Sequence, residues 1–171
     1  MERIRHNPGG WGVTLGATIA LASLFLVWIQ VVNSDGASED YRAITTFTGQ
    51  TLMFAAMLGL ISAIGIIVSR SRGRVVFAVL ALAAALLLIA AAAWAILDPA
   101  GFAKYAADAQ ALASLTSSSH MKDVSSVLSS AFASGELDAS VGFGAIVGLV
   151  GGLLVALGAF LSFAWRPVGV A

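Results

Sequence analysis

Only two histidines, His6 and His120, and no cysteine occur among the 171 residues, so few side chains here suit a nucleophile, a proton carrier or a metal ligand. The lack of a thiol removes disulfides, Cys-based zinc sites, iron–sulfur ligation and thiol catalysis. Asp35, Glu39 and Asp40 lie close together. Their spacing is not that of an EF-hand loop and lacks its terminal bidentate glutamate, so a solvated acidic loop is expected. Ser117 to Ser119, His120, Lys122 and Asp123 form the densest run of potentially reactive side chains. They include a single histidine, with neither a nucleophile elbow nor a zinc-binding His pair. Met53 and Met57 stand at helical spacing, where methionines pack more often than they ligate haem. The expectation is a chain that is not an enzyme, with no catalytic, cofactor or metal site and no nucleic-acid partner.

The elements that would have to position any chemistry are apolar. The chain is 59% hydrophobic and 11% charged. Soluble domains carry about 25% charged residues, so this chain has too few to cover a water-facing surface. Four uncharged runs account for most of it: residues 11–32, 52–69, 75–97 and 141–165. Each is long enough, or nearly so, to cross roughly 30 Å of hydrocarbon as a helix. The first run exceeds the 7–15 residues of a signal-peptide core and no Ala-x-Ala site follows, so a retained span is expected. The reading is all-α: one integral membrane domain over residues 1–171, a four-helix bundle with outer loops 33–51 and 98–140. The Gly-rich stretches fall inside the spans and are therefore not phosphate loops.

Charge asymmetry orients the bundle. The N-terminus, the 70–74 turn and the C-terminal tail hold Arg3, Arg5, Arg70, Arg72, Arg74 and Arg166 against Glu2 alone. The opposite side holds Arg42, Lys104 and Lys122 against Asp35, Glu39, Asp40, Asp98, Asp108, Asp123, Glu136 and Asp138. The positive-inside rule then places both termini and the Arg-rich turn in the cytoplasm of a cell membrane. Arg70, Arg72 and Arg74 could also attract anionic lipid headgroups, at about 1 kcal/mol each. Trp11, Trp28, Trp94 and Trp165 fall near span ends, as interfacial belts favour.

Small residues supply packing faces, because helices in lipid associate through close backbone approach. Gly144, Gly148, Gly152 and Ala156 repeat every four residues, a glycine zipper along one helix stripe. Gly12, Gly16 and Ala20 form a shorter version in the first run, and Ala55, Gly59 and Ala63 another in the second. Such stripes pack within one bundle, or against a second copy or another integral membrane subunit. In the second outer segment, Phe102, Tyr105, Ala109 and Leu112 mark one short amphipathic helix; Met121, Val124, Leu128 and Phe132 mark another. Ser117 to Ser119 supply N-cap candidates and Gly135 a C-cap.

Leu26-Val27-Trp28, Thr48-Gly49 and Arg70-Ser71-Arg72-Gly73-Arg74 give a layout that resembles four-span actinobacterial membrane proteins, among them the tryptophan-associated membrane protein family. The resemblance implies a bacterial, multi-pass membrane protein and transfers no catalytic residue. The outline is also similar to claudin-like proteins, without their paired outer-loop cysteines. Four-helix drug/proton antiporters share the span number but need a membrane-embedded glutamate, where the first run offers only Thr14, Thr18, Ser23 and Gln30. The function expected is that of a non-catalytic accessory, assembly or scaffold subunit of a larger respiratory or cell-envelope complex, in contact with lipid. The alternative is an oligomeric transporter or channel component whose polar path uses Thr14, Thr18, Gln30 and Ser62.

Overall fold

A computed structural model describes residues 7–34, 36–69, 71–114 and 130–164. The chain is mostly helical. Five helices are α1 (Pro8–Ser23), α2 (Phe47–Val68), α3 (Ser71–Leu97), α4 (Pro99–Ser114) and α5 (Phe143–Ala164). Residues 130–134 form a further helical segment, and Gly135 follows it at φ 78°, the left-handed conformation suited to a helix-ending glycine. Among the described residues, three helical segments are long and apolar enough to cross a membrane: Thr48–Val68, Arg72–Leu97 and Phe143–Ala164.

The all-α expectation needs correction. Strands β1 (Val27–Asn33), β2 (Ser38–Arg42) and β3 (Leu137–Val141) form an antiparallel sheet in the order β2-β1-β3. The first apolar run, expected as one helix over 11–32, stops being helical after Ser23. Its second half is rich in β-branched and aromatic residues, Val27, Trp28, Ile29, Val31 and Val32, which suit a pleated surface better than a helix. The loop expected over 33–51 is instead the β1–β2 hairpin, a 3-10 turn at Ala43–Thr45 and the start of α2. Likewise, Val141 ends a strand, and the last helix begins at Phe143. The third helix begins at Ser71, so Arg72 and Arg74 lie in its first turn and not in a free loop.

Local signals explain the boundaries. Asn7 caps α1, its side-chain oxygen accepting from the Gly10 N–H at 3.3 Å, with Pro8 at the first helical position. The Asn7 amide also donates to the Ile66 carbonyl at 3.3 Å, which ties the start of α1 to the end of α2. Thr46 caps α2 by accepting from the Gly49 N–H at 3.0 Å. Asp98 is the single residue between α3 and α4, and its carboxylate accepts from the Gly101 N–H at 2.9 Å.

Helix α1 packs on α5 and α2, and α3 packs on the same two, so α1 and α3 occupy opposite corners of a four-helix arrangement. The lower half of its core is built from small residues, including Ala17, Ala63, Ala78, Ala81, Ala85 and Ala159. The large buried side chains Trp28, Phe102, Leu24 and Ile29 gather where the bundle meets the sheet.

The α1–α5 seam is the tightest. A methyl group added at Gly16 would lie 2.5 Å from the Val155 backbone nitrogen, and one at Gly151 would lie 2.6 Å from that of Ala20. Gly16→Ala should therefore separate the helices and destabilise the bundle by about 1–3 kcal/mol. Leu157→Ala on the exposed face should change stability by less than about 0.5 kcal/mol. Thermal or denaturant unfolding in a mild detergent measures both.

Candidate functional site

The predicted glycine zipper is divided between two neighbours. Gly144 and Gly148 face Trp28, whose ring would meet a methyl at either position at 2.5 and 2.8 Å. Gly152 instead faces Leu88 and Ile89 of α3, and Ala156 packs at the edge of the lower core. The face of α5 turned to α1 continues through Gly151, Val155, Gly158 and Ser162. That seam steps by alternating threes and fours, the signature of nearly aligned helices in extended contact, not by constant fours. Gly151 and Gly158 were missed by the four-residue pattern, although the 148-151-155-158-162 spacing was present in the sequence. On α1, Gly12 and Gly16 do face α5, while Gly59 of α2 meets Ala17.

Trp28 is the residue on which bundle and sheet meet. The β1–β2 register shifts between Val27 and Ile29, so Trp28 occupies a bulge. Strict alternation would put it on the same face as Gln30 and Val32; a bulge re-aims the side chain. Trp28 and Ile29 are both buried as a result. Trp28 faces inward, unlike an exposed belt tryptophan: it is 1% exposed, against 56% for Trp11 and 39% for Trp94. Its indole N–H donates to the Ser23 carbonyl at 2.8 Å, which satisfies a carbonyl freed by the end of α1. Its ring stacks on Phe102 with centroids 6.1 Å apart. Phe102 meets Trp94 edge-on at 5.6 Å, and Trp94 touches Tyr105 at 5.3 Å.

The amphipathic face expected on α4 is thus partly internal. Phe102 is buried, Tyr105 is 46% exposed, and Leu112 lies on the helix with its side chain outside the description. Phe132 packs against the upper core, with the Lys104 ammonium 5.4 Å from its ring centroid. Also outside the described residues are Arg3, Arg5, His6, Asp35, Arg70, Ser117 to Asp123, Val124, Leu128, Trp165 and Arg166.

Pairing and alternation give the sheet two unlike faces. Ile29, Val31, Tyr41, Leu137, Ala139 and Val141 share one face and join the upper core. Gln30, Val32, Ser38, Asp40, Asp138 and Ser140 share the other, which is polar and carries two acids flanking β1. Tyr41 lies at the margin of the buried face. Its phenol donates to the Glu39 carboxylate at 3.4 Å. Burial raises its pKa, with the Glu39 charge and that hydrogen bond adding to the shift.

The residues of the expected polar path do not converge. Thr14 and Thr18 lie toward the outside of α1, each donating to the carbonyl four residues earlier at 2.9 Å. Gln30 is on the sheet, whereas Ser62 is fully buried in α2 with no hydrogen-bond partner for its hydroxyl. Among the described residues, no group of three or more potential metal ligands gathers.

A scan of protein-family models, a search of curated proteins and a search of solved structures each return no match for this chain.

Trp28→Phe keeps the stacking but loses the indole N–H, and should cost about 1 kcal/mol. Trp28→Ala leaves a cavity at the junction and should cost about 3–5 kcal/mol, with collapse of the near-ultraviolet circular dichroism. In the folded chain Tyr41 should ionise above the usual tyrosine pKa of about 10. Folding is then unaffected by this group at lower pH and weakens as pH rises past that value, where the unfolded chain releases the proton first. With only two tyrosines present, a 295 nm titration of the wild type against Tyr41→Phe isolates the shift.

Proposed function

We propose that the chain is a non-catalytic four-span membrane subunit, with both termini cytoplasmic, that presents its small sheet outside the membrane as a docking platform for a larger respiratory or cell-envelope complex. One observation carries the reading: a polar, acid-bearing sheet face is joined to an apolar bundle through Trp28 and Phe102. Such an arrangement fixes the orientation of a recognition surface relative to the lipid, which is what an assembly or scaffold subunit requires. The fourth span is α1. It has 16 residues, about 24 Å of helix, and lies along α5 from Ser162 to Gly148, so it shares the depth of a helix of spanning length. Arg72 and Arg74 at the start of α3 supply the positive-inside signal at the opposite end from the sheet.

The second reading, an oligomeric small-solute transporter or channel component, draws on the buried and unpartnered Ser62 hydroxyl as one element of a polar path.

Purification in mild detergent separates the two. Co-migration with a defined larger membrane complex, lost in an Asp40→Lys/Asp138→Lys variant that remains folded, is the expected result. A homo-oligomer that conducts solute into liposomes, with conduction abolished by Ser62→Ala, overturns the docking reading in favour of the second.

A further inference from the structure

Helix α1 stops short of the distance its span must cover. Its 16 residues supply about 24 Å, against a hydrocarbon thickness of roughly 30 Å. Residues 24–28, which are not regular helix, continue the chain from there toward the sheet. Non-helical backbone is tolerated at membrane depth only where its polar groups are satisfied by protein.

That condition is met at three carbonyls around this turn. The Ser23 carbonyl accepts from the Leu26 N–H at 3.1 Å and from the Trp28 indole at 2.8 Å. The Leu24 carbonyl accepts from the Ile44 N–H at 3.0 Å, and the Trp28 carbonyl from the Gly142 N–H at 2.7 Å. While the Ser23, Leu24 and Trp28 carbonyls are taken up by protein donors, the turn directs large apolar side chains outward: Phe25 is 58% exposed and Leu26 38%. Phe143, the first residue of α5, is 69% exposed, and Leu26 adjoins the neighbouring Gly144. These three extend the exposed apolar surface of α5, through Ile146 and Val150, up to the base of the sheet.

We infer that the α1–β1 turn is a lipid-binding collar: Phe25, Leu26 and Phe143 insert among the acyl chains of the outer leaflet, so the membrane boundary lies above the end of α1 and the sheet stands directly on the headgroups. The inference rests on the membrane-spanning reading given above. Its occupant is lipid, because the turn combines inward hydrogen bonding with outward apolar side chains and continues the exposed surface of a helix of spanning length.

The chain has no cysteine, so single substitutions give unique labelling sites. Spin-labelled Phe25→Cys and Phe143→Cys, in the full chain reconstituted into phosphatidylcholine–phosphatidylglycerol vesicles, should relax more with oxygen than with a water-soluble nickel chelate, a ratio above one. Ser38→Cys and Ser140→Cys on the sheet should give ratios below one. Leu153→Cys, mid-way along α5, reports on the span itself. A ratio below one at the collar with Leu153→Cys above one overturns the collar alone; a ratio below one at Leu153→Cys overturns the spanning reading as well. Exclusion of both reagents from the collar overturns lipid as the occupant and points to a second copy or a partner protein. The unmodified chain gives an independent answer with a diazirine-bearing phospholipid. Adducts at Phe25, Leu26 or Phe143 support the collar, whereas adducts confined to residues below Ser23 overturn it.

Discussion

The close approach of two backbones, α1 and α5, is the constraint from which the rest of the structure follows. Hydrophobic burial gives little reason for helices to associate within lipid, so contact area between small residues must supply the attraction. Gly16 against Val155 and Gly151 against Ala20 leave no room for a β-carbon. This contact fixes the height of α1 relative to α5. The end of α1 therefore falls beside Gly148, and the Trp28 ring has a glycine-lined recess to enter. Asn7 does the same at the other end by joining the start of α1 to the Ile66 carbonyl.

From that seam the sheet inherits its position. Trp28 belongs to the central strand yet packs within the bundle, and the bulge at its position makes this possible. Phe102 extends the contact to α4, and Trp94 to the end of α3, so one aromatic cluster links α3, α4 and β1. The core changes character along its length for this reason. Alanines and glycines line the part where helices must approach, and large side chains fill the part where helices give way to strands. A sheet joined to its bundle through this cluster has a defined orientation on it, which is the physical basis of the docking role proposed for its polar face.

Much of the helical scaffold was legible in the chain. Runs 52–69 and 75–97 contain no charge and correspond closely to α2 and α3. The amphipathic periodicity from Phe102 foretold α4, though not that Phe102 would be internal. The strands were hidden for a definite reason. A fully apolar segment such as 11–32 has no alternation to distinguish a buried strand from a buried helix, and length then favours the wrong answer. The partner strands offered little help, since Ser38–Arg42 and Leu137–Val141 are short and half polar.

Composition and local order by themselves determined that the chain holds long helices apolar enough to cross a membrane, because these properties depend on residue type and its run length alone. Which glycines face which helix, where the first helix stops, and whether Trp28 looks outward or inward were decided only in three dimensions. A four-residue repeat and an alternating three-four repeat coexist in α5, and nothing but the neighbouring backbones selects between them. Likewise, β1 exists because β2 and β3, distant from each other in the chain, arrive on either side of it to satisfy its backbone.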